Sequence, residues 1–251
     1  MVHFVGAGPG AADLITVRGQ RLLEEADVVV YAGSLVNPQL LESCKEGCEI
    51  HNSAYMTLEE VIEVIAGAEK KGRKVVRLHT GDPSIYGAVK EQMDVLEREG
   101  ISYDVCPGVS SFCGAAAALK AEYTLPDISQ SVLITRMAGR TKVPEKESIR
   151  DLAAHQATMV IFLSTGMLRK LQRELVAGGY PEDTPAAVVY KATWQDEKVC
   201  RCTVGSLAET AEAEGITKTA LIIVGRFLDS EHRRSKLYDP AFTTEFRKGS
   251  K

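Results

Sequence analysis

Short apolar runs alternate with helical stretches through the first half of the chain, and this alternation limits the fold more than any other feature of the sequence. His3–Val5, Asp27–Tyr31, Glu49–His51, Lys74–His79 and Tyr103–Val105 read as strands. Leu14–Glu25, Thr57–Lys70, Tyr86–Arg98 and Ser110–Leu119 read as the helices between and after them, with Thr57-Leu-Glu-Glu60 forming a capping box at the start of the second. A strand joined to the next through a helix crosses over before it pairs, so the expected product is a mostly parallel sheet.

The second half has a different rhythm. After the Ala-rich helix, Ala121–Asp127 is polar and contains Pro126, which marks a domain joint. Ser131–Thr135, Met159–Leu163, Ala186–Tyr190, Val199–Val204 and Ala220–Val224 then read as five strands with three helical patches among them. Only a short polar link separates the third from the fourth, which predicts a hairpin and therefore a mixed sheet. The expectation is two α/β domains, residues 1–120 with a mostly parallel sheet and 121–228 with a mixed one, followed by a frayed charged tail at 229–251.

Composition narrows the class. The 251 residues are 45% hydrophobic and 25% charged, which excludes disorder. With 30 Lys and Arg against 34 Asp and Glu, no positive field surrounds the whole chain, so nucleic acid and anionic lipid are not expected partners. No apolar run reaches the roughly 18 residues that a spanning helix needs, and the chain enters a strand without a basic leader, so the expectation is a cytoplasmic protein off the membrane. Cys44 and Cys48 form C-x3-C and Cys200 and Cys202 form C-x-C. The second pair lies on one side of a strand, and His3, His51, His79, His155 and His232 supply no paired ligands, so free thiols and no metal are expected.

Three Gly/Pro turns follow three of the strands. Gly6-Ala-Gly-Pro-Gly-Ala11 satisfies G-x-G-x-x-A, but a dinucleotide site also needs an acidic residue closing the second strand. After Tyr31 the chain reads Ala32-Gly33-Ser34, and Asp27 stands at the opposite end, so NAD and FAD are disfavoured. Gly81-Asp-Pro-Ser-Ile-Tyr-Gly87 follows the fourth strand, where ligands of open α/β sheets bind, and Asp82 offers a carboxylate there. Cys106-Pro-Gly-Val-Ser-Ser111 follows the fifth and brings small hydroxyls to the same edge.

In this order and spacing, the G-x-G-P-G-x-x-x-L-I-T form of Gly6–Thr16, the Gly81–Gly87 loop and Pro107–Ser111 resemble the tetrapyrrole methylases, the class III S-adenosylmethionine-dependent methyltransferases. Tyr31-Ala-Gly-Ser-Leu-Val36 and Thr135-Arg-Met-Ala-Gly-Arg-Thr-Lys-Val-Pro144 resemble, within that family, the branch that methylates a precorrin at C11 during corrin (cobalamin) synthesis. The resemblance implies a folded S-adenosylmethionine in a cleft between two α/β domains, S-adenosylhomocysteine as product, and a homodimer. It implies cofactor contacts at Pro9, Gly81, Asp82, Ile85, Ser110 and Ser111, and at the strand ends Leu163, Ala192 and Ala220.

A sulfonium methyl is already electrophilic, so the demand on such a protein is alignment at about 3 Å, worth about 7–11 kcal/mol. Asp82 is the candidate to orient the cofactor and assist proton loss. The acceptor carries many carboxylates, for which Arg136, Arg140 and Lys142 are the candidate partners. Tyr31, Tyr55, Tyr86 and Trp194 are candidates to line a flat macrocycle site. Cobalt-containing and metal-free acceptors both remain open, as do another methylase of the family, such as a uroporphyrinogen-III or diphthine enzyme, and a noncatalytic cofactor sensor.

Overall fold

In a computed structural model, which describes residues 1–229 and 235–250, the chain forms two five-stranded α/β sheets. It divides into two compact units, Met1–Gly114 with Ala192–Asp196, and Ala115–Lys191 with Glu197 onward.

The first unit holds β1 (Val2–Gly6), β2 (Val28–Tyr31), β3 (Glu49–Asn52), β4 (Val75–His79) and β5 (Tyr103–Cys106). They are all parallel in the order β3-β2-β4-β1-β5. The helices are α1 (Val17–Glu25), α2 (Leu58–Glu69), α3 (Lys90–Arg98) and the start of α4 (Ser111–Leu119). Strands buried on both sides explain the Val-rich runs. Val5, Val29, Val76 and Leu78 pack against Leu23 of α1 and Leu40, whereas Val2, Phe4, Val30 and Val75 pack against Ile62 and Ile65 of α2 and Leu96 of α3. This is what right-handed crossovers require when the chain first travels from β1 towards β3 and later returns through β4 to β5.

Two helices begin later than the sequence predicts. Leu14 belongs to a short 3-10 turn, and α1 starts only after Thr16, whose hydroxyl accepts from the Gly19 N–H at 3.1 Å. Tyr86–Val89 is loop rather than helix. Tyr86 (φ 54°) and Ala88 (φ 49°) take left-handed backbone, and Gly87 lies so close to Pro83 that a Cβ there would stand 2.2 Å from its carbonyl oxygen. The Thr57–Glu60 capping box forms as expected.

The second unit holds β6 (Val132–Arg136), α5 (Ile149–Ala153), β7 (Thr158–Phe162), α6 (Leu168–Ala177), β8 (Pro185–Tyr190), β9 (Lys198–Thr203), α7 (Leu207–Ala213) and β10 (Ala220–Val224). Its sheet runs β6-β7-β10-β8-β9, with β6 and β7 parallel and every other pair antiparallel. The expected β8–β9 hairpin forms, and β10, antiparallel to both β7 and β8, adds to the mixed character. Leu171 and Leu175 of α6 and Leu207 and Ala211 of α7 close the core over Met159, Ile161, Val188 and Ile222, with Cys200 and Cys202 packed at its margin.

The division falls inside α4, not at residue 121. The carbonyl of Leu119 accepts from Arg201 Nη2 at 2.9 Å, which ties the end of the helix to the second unit. Of the expected tail, residues 230–234, including His232, and 251 lie outside the described residues. Residues 235–250 are not simply frayed, because Arg247 Nη2 donates to the carbonyls of Leu237 at 2.9 Å and Asp239 at 2.7 Å. No helix among the described residues is long and apolar enough to cross a membrane.

Candidate active site

In the first sheet the connections leaving β1 and β4 run in opposite directions, and adjacent strands of that kind open a crevice at their carboxyl ends. The Gly6–Ala11 and Gly81–Gly87 loops depart from these two strands. An isolated bridge joins them, with Gly81 N donating to Gly8 O at 2.9 Å and Gly8 N to Gly81 O at 3.2 Å. The loop after β5 closes on both. A Cβ on Gly6 would stand 2.5 Å from Gly108 Cα and 2.6 Å from the Gly81 carbonyl oxygen, so the three loops meet backbone against backbone.

Asp82 ties the second loop to the third. Its Oδ2 accepts from Gly108 N at 2.8 Å, while Oδ1 accepts from Ser84 N at 2.8 Å and from the Ser84 hydroxyl. Partial burial pushes its carboxyl up, but the hydrogen bonds from the Ser84 hydroxyl and the Gly108 and Ser84 amides outweigh this and hold it below its ordinary value. Ile85 is fixed in the same loop through its N–H to Asp82 O at 3.2 Å. Ser110 is buried beside Gly81, at whose Cβ position Ser110 Cα and Ser111 N would both lie 3.5 Å away. Pro9 packs near Gly114 and Thr193. The first unit thus brings together Pro9, Gly81, Asp82, Ile85, Ser110 and Ser111.

Ala192 joins them for a reason that no local pattern conveys. Residues 192–196 belong to the first unit, where Thr193 Oγ1 accepts from Ala11 N at 3.0 Å and Trp194 lies against Gly10. Asn37 also holds the first loop, donating from Nδ2 to Gly10 O at 2.8 Å. Neither Thr193 nor Asn37 stands out in the sequence. Of the other candidate aromatics, Tyr31 packs against the core, Tyr55 is 87% exposed and Tyr86 is 44% exposed. At Ser34, in the Tyr31–Val36 motif, only the backbone is described.

The second unit gathers the remaining candidates at one sheet edge. Because β10 is antiparallel, its first residue, Ala220, pairs with Tyr190 at the carboxyl end of β8. The Thr165 hydroxyl donates to Ala220 O at 3.1 Å, and Ser164 Oγ accepts from Met137 N at 2.9 Å, so the ends of β6, β7 and β10 are locked together. Between them Leu163 holds left-handed backbone (φ 51°) and is 66% exposed. Arg136 is occupied within its own loop. Nη1 donates to the carbonyls of Met137 at 3.2 Å and Thr141 at 3.3 Å, and Nη2 to Lys142 O at 2.8 Å. Arg136 therefore shapes the loop, and Arg140 and Lys142 are left exposed on it.

All six cysteines are free, and no group of three or more His, Cys, Asp or Glu side chains suited to a metal occurs among the described residues. The Cys44 thiol is pushed up to about 12 by burial and by the neighbouring Cys48.

The family model described as Tetrapyrrole (Corrin/Porphyrin) Methylases matches residues 1–208. The chain belongs to the tetrapyrrole methylase family. Among named tetrapyrrole methylases it is 57% identical to a cobalt-precorrin-4 C(11)-methyltransferase of Methanocaldococcus jannaschii, over all of this chain and 97% of that one. It is 46% identical to the precorrin-4 C(11)-methyltransferase of Pseudomonas aeruginosa, over 92% and 91% of the two chains. A crystal structure described as a cobalamin biosynthetic enzyme, cobalt precorrin-4 methyltransferase, superposes with a TM-score of 0.89 at 48% identity, covering 91% of this chain and 96% of that one. The uroporphyrin-III C-methyl transferase of Thermus thermophilus complexed with S-adenyl homocysteine superposes with a TM-score of 0.74 at 25% identity, covering 91% and 93%.

Proposed function

We propose that this tetrapyrrole methylase transfers a methyl group from S-adenosylmethionine to C11 of cobalt-precorrin-4. The observation that carries the choice of acceptor is the gradient of full-length identity. It stands at 57% to the cobalt-precorrin-4 C11 enzyme of M. jannaschii, 46% to the precorrin-4 C11 enzyme of P. aeruginosa and 31% to a uroporphyrinogen-III C-methyltransferase of Bacillus subtilis.

The residues fit the cofactor. Gly81 at φ 60° leaves the loop without a side chain beside the Asp82 carboxylate, which its amide donors keep ionised. Buried Ser110 and the backbone of the first loop add the polar groups that an amino acid and a ribose require. When bound, the cofactor supplies an electrophilic methyl on sulfur. The chain's task is then to hold that methyl in line with the attacking carbon at about 3 Å and to exclude water, because charge is lost rather than created in the transfer. Asp82 orients the cofactor through a carboxylate that cannot turn without breaking bonds to two loops. Arg136 holds the Met137–Lys142 loop in shape, and Arg140 and Lys142 meet the acceptor's carboxylates.

Calorimetric titration with S-adenosylhomocysteine tests the class. Saturable micromolar binding is expected, with none for NAD or FAD; tight NAD or FAD binding in its place would return the first loop to a dinucleotide and defeat the reading. A mass gain of one methyl on cobalt-precorrin-4, absent on uroporphyrinogen III, tests the acceptor.

Charge reversal at Arg140 is expected to raise the acceptor KM about tenfold, the loss of one charge-assisted hydrogen bond, with S-adenosylhomocysteine affinity unchanged. Arg136→Glu should raise it further, since three carbonyls lose their donor and face a carboxylate. Steady-state kinetics in both variants checks this, and an unaltered KM would remove the loop from the acceptor site.

A further inference from the structure

Arg77 and His79 alternate with Leu78 along β4 and face the side of the sheet covered by α2 and α3. Both are buried, at 5% and 3% exposure. The Arg77 guanidinium donates to Gln92 Oε1 at 2.8 Å, to the Val30 carbonyl at 3.0 Å and to Ser53 Oγ at 3.0 Å. All three partners are neutral, so a buried positive charge stands uncompensated, and burial brings its pKa down to about 10. His79 Nε2 is likewise buried and has no hydrogen-bond partner. Folded chains seldom leave either group in this condition: the three hydrogen bonds of Arg77 offset only part of the cost of burying its charge, and nothing within the chain satisfies His79 Nε2.

The two groups meet at one cavity of about 290 Å³, also lined by Ser53, Ala88, Glu91 and Gln92. The cavity lies against the start of α3, whose N-cap residue, Val89, provides no side-chain cap, so the positive end of the helix dipole adds to the field of Arg77. Glu91 is the one carboxylate lining it, and it is exposed. His79 ends β4 directly before the loop that carries Asp82.

We propose that this cavity is a subsite for one carboxylate side chain of the tetrapyrrole acceptor, with Arg77 as counter-charge and His79 Nε2 as hydrogen-bond partner. The volume suits an acetate or propionate arm, and the chemistry suits an anion. The inference rests on the proposed function for its choice of acceptor. At neutral pH burial and the nearby Arg77 charge keep the imidazole neutral, with its pKa lowered to about 3, so the positive charge of the site comes from Arg77.

The test uses His79→Leu, which removes the ring nitrogen, and Glu91→Gln, an exposed change that removes the opposing charge and does not endanger folding. His79→Leu is expected to raise the acceptor KM about tenfold with little change in kcat or in S-adenosylhomocysteine affinity. Glu91→Gln is expected to lower the same KM two- to threefold. In a second arm, sodium acetate titrated into the ¹⁵N-histidine-labelled protein should shift the His79 imidazole resonances saturably and leave those of His155 in place. Acceptor KM values within twofold of the unsubstituted protein in both variants would overturn the subsite. A saturable shift with inorganic phosphate, combined with unmoved KM values, would assign the cavity to a free anion and overturn it equally. Absence of any methyl transfer by the unsubstituted protein is a separate outcome, which defeats the function reading itself.

Discussion

Gly108→Ala is expected to lower the melting temperature by about 5–10 °C and to abolish measurable S-adenosylhomocysteine binding. The added Cβ would stand 2.2 Å from the Gly81 carbonyl oxygen and 2.7 Å from Gly6 Cα. Both obstacles are backbone and neither can give way. Gly6 is the last residue of β1, in register with His79, and Gly81 is held on both its N–H and its carbonyl by Gly8. Overpacking of this kind costs about 1–3 kcal/mol, and each kcal/mol moves the melting temperature by about 2–4 °C in a chain of this size. The same displacement carries the Gly108 amide away from Asp82, so stability and binding fall together. Gly67→Ala is the control: it lies within α2 with nothing within 4 Å of the new methyl, and a gain of about 0.5–1 kcal/mol is expected there. Equal melting temperatures for the two variants would mean that the three loops are not interlocked.

Asp82→Asn is expected to weaken S-adenosylhomocysteine binding by about tenfold to a hundredfold, the range for losing a hydrogen bond to a charged group. The amide is the same size, but it has one accepting oxygen where the carboxylate has two. Oδ2 serves the Gly108 amide and Oδ1 serves both donors of Ser84, so either Gly108 or Ser84 must face an NH2 group. The effect carries a pH signature. The folded carboxyl lies below its unfolded value, so its contribution to stability is complete above the unfolded pKa and disappears as pH falls through the folded one. Urea midpoints measured from about pH 5 downward should therefore converge for the natural protein and Asp82→Asn in acid and separate above it. A constant separation across that range would leave the carboxylate without its assigned role.

The features legible in the sequence are those that short stretches decide alone. Alternating strands and helices gave the parallel sheet, the brief link after Tyr190 gave the hairpin and the mixed sheet, and Thr57–Glu60 capped its helix as its residue types dictate. Three Gly/Pro turns marked the carboxyl edge of the first sheet, and the order of the strands places two of them at the crevice. Tertiary packing decided the rest. Tyr86 and Ala88 have ordinary helical neighbours in sequence, but the contact of Gly87 with Pro83 turns their backbone left-handed. Arg136 reads as a partner for the acceptor's carboxylates, and only the fold shows the carbonyls of its own loop surrounding it. Arg77 and His79 sit at period-two positions of an apolar strand, where a sequence cannot distinguish a buried cation from an exposed one.

The hydrogen bond from Ala11 to Thr193 spans 182 residues, which gives the first loop a history as well as a shape. During synthesis the strands of the first sheet can pair as soon as residue 106 has emerged, but the Ala11 amide and the face of Gly10 that Trp194 covers must wait for residues 193 and 194. At about 5–20 residues per second the stretch from residue 106 to residue 193 takes roughly 4–17 s. A nascent chain therefore carries a finished sheet with an open first loop for about a third of its synthesis, and a fragment ending near residue 114 never leaves that stage.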